Sequence, residues 1–255
     1  MAMGDDPWIR CFKPAPHSRA RLVCLPHAGG SASYYLPFAQ ALDPDLAEVL
    51  AVQYPGRQDR RHEPCIHTIE GLADAVAAAL PPWLDKPIAV FGHSMGALVA
   101  FELVRRLERT GAAEPLVVFV SGRRAPGRYR DENVHLRDDA GIVTEMRSLG
   151  GTSTRLLEDD EIIKMIMPAL RADFTAVETY RRPPGPGVAA PLVALTGTDD
   201  PCASLVDAQA WSAETTGSFD LRTFSGGHFY LEQQQIQVVD EVASQLRQVS
   251  PSGRT

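Results

Sequence analysis

Short apolar runs alternate with amphipathic stretches along most of the chain. The runs at 21–25, 49–54, 88–91, 116–120, 192–195 and 219–224 predict strands, and the stretches 34–42, 69–80, 95–109, 205–215 and 230–249 predict helices. Near-continuous apolar strands separated by helices are the pattern of a mainly parallel sheet covered on both faces, hence an α/β class. Within 95–109, Leu98, Phe101, Val104 and Leu107 recur at helical spacing and give one buried face, which Gly111 terminates.

The alternation stops between 122 and 188, where the pattern offers helical pieces at 140–149, 159–167 and 169–181 and no strand. An excursion of this length between two strands is an insertion with its own helices, so residues 1–121 and 189–255 form the core and 122–188 a separate unit. Its two readings are a lid over a substrate site and a structural subdomain with no gating role.

Composition narrows the setting. The 255 residues carry a formal net charge of −7, which disfavours a nucleic-acid partner because phosphate binding needs a basic field. No apolar run has the roughly 20 residues of a membrane helix. The N-terminal decamer MAMGDDPWIR has acids where a secretory signal has bases, so a cytoplasmic location is expected. Cys11, Cys24, Cys65 and Cys202 are scattered, which makes free thiols the expectation, and no His/Cys/Asp grouping has metal-ligand spacing.

The sharpest chemical signal is Gly92-His93-Ser94-Met95-Gly96, a G-x-S-x-G motif. It stands between the predicted strand IAVF and the predicted helix MGALVAFELVRRL, the context that turns such a motif into a nucleophile elbow. A turn this tight strains the serine backbone, and glycines two residues to either side remove the collisions that side chains would cause. Ser94 Oγ is thereby presented above the sheet at a helix N-terminus.

A serine hydroxyl needs a base. His228, in Ser225-Gly226-Gly227-His228-Phe229 just after the last strand, lies where the chain order Ser, Asp, His places it. Thr196-Gly197-Thr198-Asp199-Asp200-Pro201 supplies the carboxylate that orients the imidazole; Asp200, stiffened by Pro201, is the first choice and Asp199 the alternative. Two backbone N–H groups should hold the oxyanion, that of Met95 and that of Ala28 in the loop Pro26-His27-Ala28-Gly29-Gly30. His93 is expected to pack, His27 receives no catalytic step, and His17, His62, His67 and His135 are expected to be solvated. Arg57, Arg60 and Arg61 follow one strand and Arg123, Arg124, Arg128 and Arg130 another, so both clusters belong at the sheet edge that bears Ser94. Either they form a basic rim that would steer an acidic partner, or they are solvated or internally paired.

With these residues in place the sequence resembles the stand-alone type II thioesterases of polyketide synthase and nonribosomal peptide synthetase pathways. LPHAGG, QYPGRQDR, FGHSMGALVAFELVRRL, VSGRRAP, LLEDDEI, PALRADFTAVETY, TGTDDP and SGGHFYLEQQ follow that family's blocks in its order. The GHSMG and GGHF pieces are shared with many α/β-hydrolases; PHAGG, YPGR, SGRRAP and the LRADF block are more specific. The resemblance implies an α/β-hydrolase fold, the triad Ser94, Asp200 and His228, and a lid over an acyl pocket. It also implies hydrolysis of aberrant or stalled acyl groups from the phosphopantetheine arm of acyl or peptidyl carrier domains, with no cofactor of the enzyme's own. Residue spacing leaves two other readings open: a carboxylesterase or lipase with the same triad, and a binding protein on a hydrolase scaffold, against which the intact site residues argue.

Overall fold

The computed structural model describes residues 6–150 and 158–249. The first five residues of the N-terminal decamer, and Leu156 and Leu157 of the LLEDDEI block, therefore lie outside the described residues.

All six predicted strands form: β2 (Ala20–Leu25), β3 (Ala47–Val52), β4 (Ile88–His93), β5 (Val118–Ser121), β6 (Leu192–Gly197) and β7 (Phe219–Phe224). A two-residue strand that no periodicity could reveal, β1 (Ile9–Arg10), pairs antiparallel with β3; every other pairing is parallel. The order is β1-β3-β2-β4-β5-β6-β7. Along β2, Val23 and Leu25 face one core while Leu22 and Cys24 face the other, and β4 divides Ile88 and Val90 from Ala89 and Phe91 in the same way. The first core is closed by α2 (Ile69–Ala79) and α3 (Met95–Thr110), the second by α1 (Leu36–Ala41) and α8 (Gln235–Val249). This is the α/β-hydrolase arrangement expected from the sequence.

Because β3 lies on one side of β2 and β4 on the other, the strand order reverses at β2 and opens a crevice at the carboxyl ends of β2 and β4. The loop after β2 and the elbow after β4 both empty into it.

Several helices differ from the hydrophobic pattern. The stretch 34–42 is a 3₁₀ turn (Ala32–Tyr35) followed by α1, with Pro37 in the first turn of α1. The stretch 205–215 is α6 (Leu205–Gln209), fixed by a Ser204/Asp207 capping box, and a 3₁₀ segment (Ala210–Glu214). The last helix breaks at Gln234 into α7 (Tyr230–Gln233) and α8.

In the insertion, a 3₁₀ turn (Val134–Leu136) precedes α4 (Asp139–Leu149) and α5 (Asp160–Thr179). Helix α5 is continuous where a break at Pro168 was expected. Burial of Met167, Ala169, Leu170, Ala172, Asp173 and Ala176 on one side outweighs the backbone bond that the proline forfeits. Asp159 caps it by accepting from the Glu161 and Ile162 N–H groups. Val134, Ile142, Val143, Met146, Met167 and Leu170 form a small core of the insertion's own.

Candidate active site

Ser94 ends the turn between β4 and α3 with φ 54° and ψ −113°, a strained backbone for a residue with a side chain. Its N–H donates to Ser121 O at 2.8 Å, tying the elbow to β5. A Cβ on Gly92 would overlap the Gly96 carbonyl, and one on Gly96 would overlap the Leu25 carbonyl at the end of β2. Close backbone approach therefore requires both glycines.

Three side chains from three loops converge. Ser94 Oγ lies 3.0 Å from His228 Nε2, and His228 Nδ1 lies 3.0 Å from both Asp200 carboxylate oxygens. Asp200 is held in turn by the Cys202 N–H, which donates to its Oδ1 at 2.8 Å. His228 and Asp200 are buried, and Ser94 is partly open to the cavity. Of the two adjacent carboxylates, Asp200 turns inward, whereas Asp199 is exposed and accepts from Thr198 Oγ1. Met95 is the first residue of α3, so its N–H has no preceding turn to bond, and Ala28 lines the same cavity as Ser94.

Burial opposes a charge on His228, but its hydrogen bonds and Coulombic attraction to Asp200 and Cys202 prevail and push the imidazole up to about 9. Two further histidines pack around it. His93, with Nδ1 2.9 Å from Ser121 Oγ, has its ring centroid 5.1 Å from that of His228, and burial depresses its basicity strongly. His27 packs edge-on against Tyr34 and Phe229, and burial, reinforced by the charges of His228 and Arg57, lowers it to about 3. Among the described residues, only His228 of the three has a carboxylate partner; His93 and His27 remain neutral walls, in keeping with the roles expected of them.

The cavity at Ser94 measures about 50 Å³ and is walled on one side by Met146, Leu149, Phe174 and Val177 of the insertion. A wider groove of about 730 Å³ runs outside it, past Gly29, Tyr34 and Leu231.

Of the two readings of the arginine clusters, internal pairing describes most of their members, and no continuous basic rim forms from Arg57, Arg60, Arg123 and Arg124. Arg57, Arg60, Arg123 and Arg124 are buried. Arg57 forks onto Asp173 of α5; Arg60 pairs with Glu63 and lies over the Trp8 ring; Arg124 pairs with Glu132. Arg123 lines the cavity, and its Nε has no hydrogen-bond partner among the described residues; burial, aided by repulsion from Arg124, lowers its guanidinium to about 10. Arg61 and Arg128 are exposed, and Arg130 is exposed but paired with Asp207. Carboxylates of the same chain, near in sequence for Arg60 and Arg124 and far for Arg57 and Arg130, pair with these four cations. His135, expected in solvent, is half-buried against Glu178.

Sequence reasoning missed two residues of the site. Cys202 sits beside the triad, and Asp200, Cys202 and His228 offer ligand atoms within 4.8 Å of one another, a grouping that spacing along the chain does not reveal. Its nearness to Asp200 in sequence was the available signal. The second is Asp173, which the LRADF block contains but no periodicity distinguishes from a surface acid.

The sequence profile of the thioesterase domain matches residues 20–248. The chain belongs to the thioesterase family. Among similar proteins, thioesterase PikA5 of Streptomyces venezuelae is 49% identical over 240 residues, spanning 94% of this chain and 85% of that protein. The type II thioesterase BorB from the borrelidin biosynthetic cluster superposes with a TM-score of 0.89 at 48% identity, over 95% of this chain and 98% of BorB. YbtT, a type II thioesterase from the yersiniabactin pathway, gives 0.85 at 32% identity, over 95% and 99% of the two chains. Among the described residues, no helix of this thioesterase is long and apolar enough to cross a membrane.

Proposed function

We propose that this thioesterase hydrolyses acyl thioesters from the phosphopantetheine arm of acyl or peptidyl carrier domains, clearing wrong or stalled acyl groups in polyketide or nonribosomal peptide biosynthesis. The observation that carries the reading is the unbroken hydrogen-bonded line from Ser94 through His228 to Asp200, at 3.0 Å per step, within a thioesterase-family fold. BorB, from the borrelidin biosynthetic cluster, and YbtT, from the yersiniabactin pathway, support the biosynthetic setting.

In the first half-reaction Ser94 Oγ attacks the thioester carbonyl while neutral His228 takes its proton through Nε2. Asp200 fixes the Nδ1–H tautomer and stabilises the cation that forms. The Ala28 and Met95 N–H groups stabilise the tetrahedral oxyanion. Its collapse breaks the C–S bond, and His228 returns the proton to the departing pantetheine sulfur. In the second half-reaction His228 deprotonates a water that attacks the acyl-Ser94 ester, releasing the acid and restoring the Ser94 hydroxyl. Each step uses a side chain or amide of this chain, so we assign no resident cofactor.

The small cavity supports short acyl groups as substrates, and longer ones would require the insertion to shift as a lid. The four free thiols support a cytoplasmic setting. The test is a panel of acyl groups presented on a carrier domain, on free pantetheine and as oxygen esters. Carrier-bound thioesters are expected to give the highest kcat/KM, with Ser94→Ala inactive throughout; faster turnover of the oxygen esters would overturn the assignment.

A further inference from the structure

Asp173 lies on the buried side of α5 and is wholly enclosed. Its Oδ2 accepts from Arg57 Nη1 and from the Gly29 N–H, both at 2.7 Å, and its Oδ1 accepts from Arg57 Nη2 at 2.9 Å. Arg57 Nη1 also donates to the Gly30 carbonyl at 3.2 Å, and its Nε to the Pro55 carbonyl at 3.2 Å. One turn before Asp173, Leu170 closes on the same loop: a Cβ on Gly29, which has φ +73°, would lie 2.5 Å from Leu170 Cδ2. The peptides directly after Ala28 are thus gripped at an N–H, at a carbonyl and by packing.

We propose that Asp173 and Arg57 are positioning residues that hold the oxyanion loop, so that the Ala28 N–H is aimed at the reacting carbonyl only while α5 of the insertion is seated. The inference rests on the role given above to Ala28. Stability alone is a poor explanation for the pair, because a buried ion pair commonly stabilises a fold no more, and often less, than well-packed apolar residues of the same size. Its geometry is informative instead. Three segments distant in sequence, the loop after β2, the loop after β3 and α5, meet at one carboxylate, and the loop after β2 presents the Ala28 amide. Oxyanion donors act through placement to within a few tenths of an ångström, and a loop of two glycines has little stiffness of its own.

The experiment compares Asp173→Asn, Arg57→Lys and the double variant with wild type, on acyl-pantetheine turnover and on the rate at which a fluorophosphonate labels Ser94. Asp173→Asn keeps the size but loses the charge; Arg57→Lys keeps the charge but loses the fork. Each is expected to lower kcat about 10²-fold, the scale of one lost oxyanion donor, with KM nearly unchanged and labelling slowed in parallel. The double variant should lose little more than either single one, since the two act as a unit. The proposal is overturned if the folded variants keep kcat within about twofold or if the loss falls on KM. It is overturned equally if both variants fail to fold, which would mark the pair as a folding element. Wild type that is labelled at Ser94 yet hydrolyses no thioester would refute the proposed substrate class, and the labelling rates would still judge the positioning role.

Discussion

Gly92 and Gly96 face each other across the elbow so closely that a methyl group on the first would overlap the carbonyl oxygen of the second. The obstacle is backbone, which cannot rotate away as a side chain could. Gly92→Ala is therefore expected to destabilise the fold by at least about 3 kcal/mol, more than an ordinary overpacked core position. Denaturant unfolding monitored by circular dichroism measures this, and a stable, active Gly92→Ala protein would show that the elbow can relax.

The triad gives graded expectations. Ser94→Ala should reduce kcat by about 10⁵-fold or more, and Asp200→Asn by about 10⁴-fold through the wrong imidazole tautomer. Asp199→Asn, changing an exposed side chain, should stay within about twofold of wild type. Single-turnover release of acyl groups from one carrier domain compares all three, and a larger defect in Asp199→Asn than in Asp200→Asn would reassign the third residue.

A histidine raised to about 9 sets the pH response. Cationic His228 cannot accept the Ser94 proton, so kcat/KM should climb as pH rises and level off above about 9. Because Cys202 contributes to the rise, Cys202→Ser should move the midpoint to lower pH. Stability runs the other way. The proton bound more tightly in the fold than in the unfolded chain stabilises fully below about 6.5, and this contribution is lost as pH rises through about 9. Thermal unfolding of wild type and His228→Gln at pH 6 and pH 9 checks the sign: the wild-type advantage should shrink at the higher pH.

Arg123 is a buried cation whose Nε has no partner among the described residues. Replacing a poorly compensated buried charge with an apolar side chain of similar length removes a desolvation penalty. Arg123→Met should raise stability by about 1 kcal/mol or more, read as a higher Tm by calorimetry. A lower Tm would mean that Glu132 and Glu178, whose charges act on the guanidinium, compensate it fully.

The sheet was legible because each strand is a continuous apolar run, and the elbow because its glycines and flanking pattern admit one geometry. The order of Ser94, Asp200 and His228 along the chain sufficed to place them at one sheet edge. Charge placement was not legible. Arg57 and Arg61 are four residues apart and look alike in sequence, yet one is buried on Asp173 and the other is exposed. What separates them is a carboxylate 116 residues away in the chain, brought near only by α5. Helix α5 itself was read as two pieces because local propensity at Pro168 says nothing of the buried side that holds the helix together.

Around Ile142, Met146 and Leu170 the insertion has a hydrophobic cluster distinct from the two cores of the sheet, and with its neighbouring residues it forms a cassette of side chains above Ser94. Exchange of this cassette between related enzymes could then re-cut the walls of the acyl chamber without redesigning the nucleophile. A donor cassette with no acid in the place of Asp173 would fit over the chamber and leave the Arg57 guanidinium stranded beneath it.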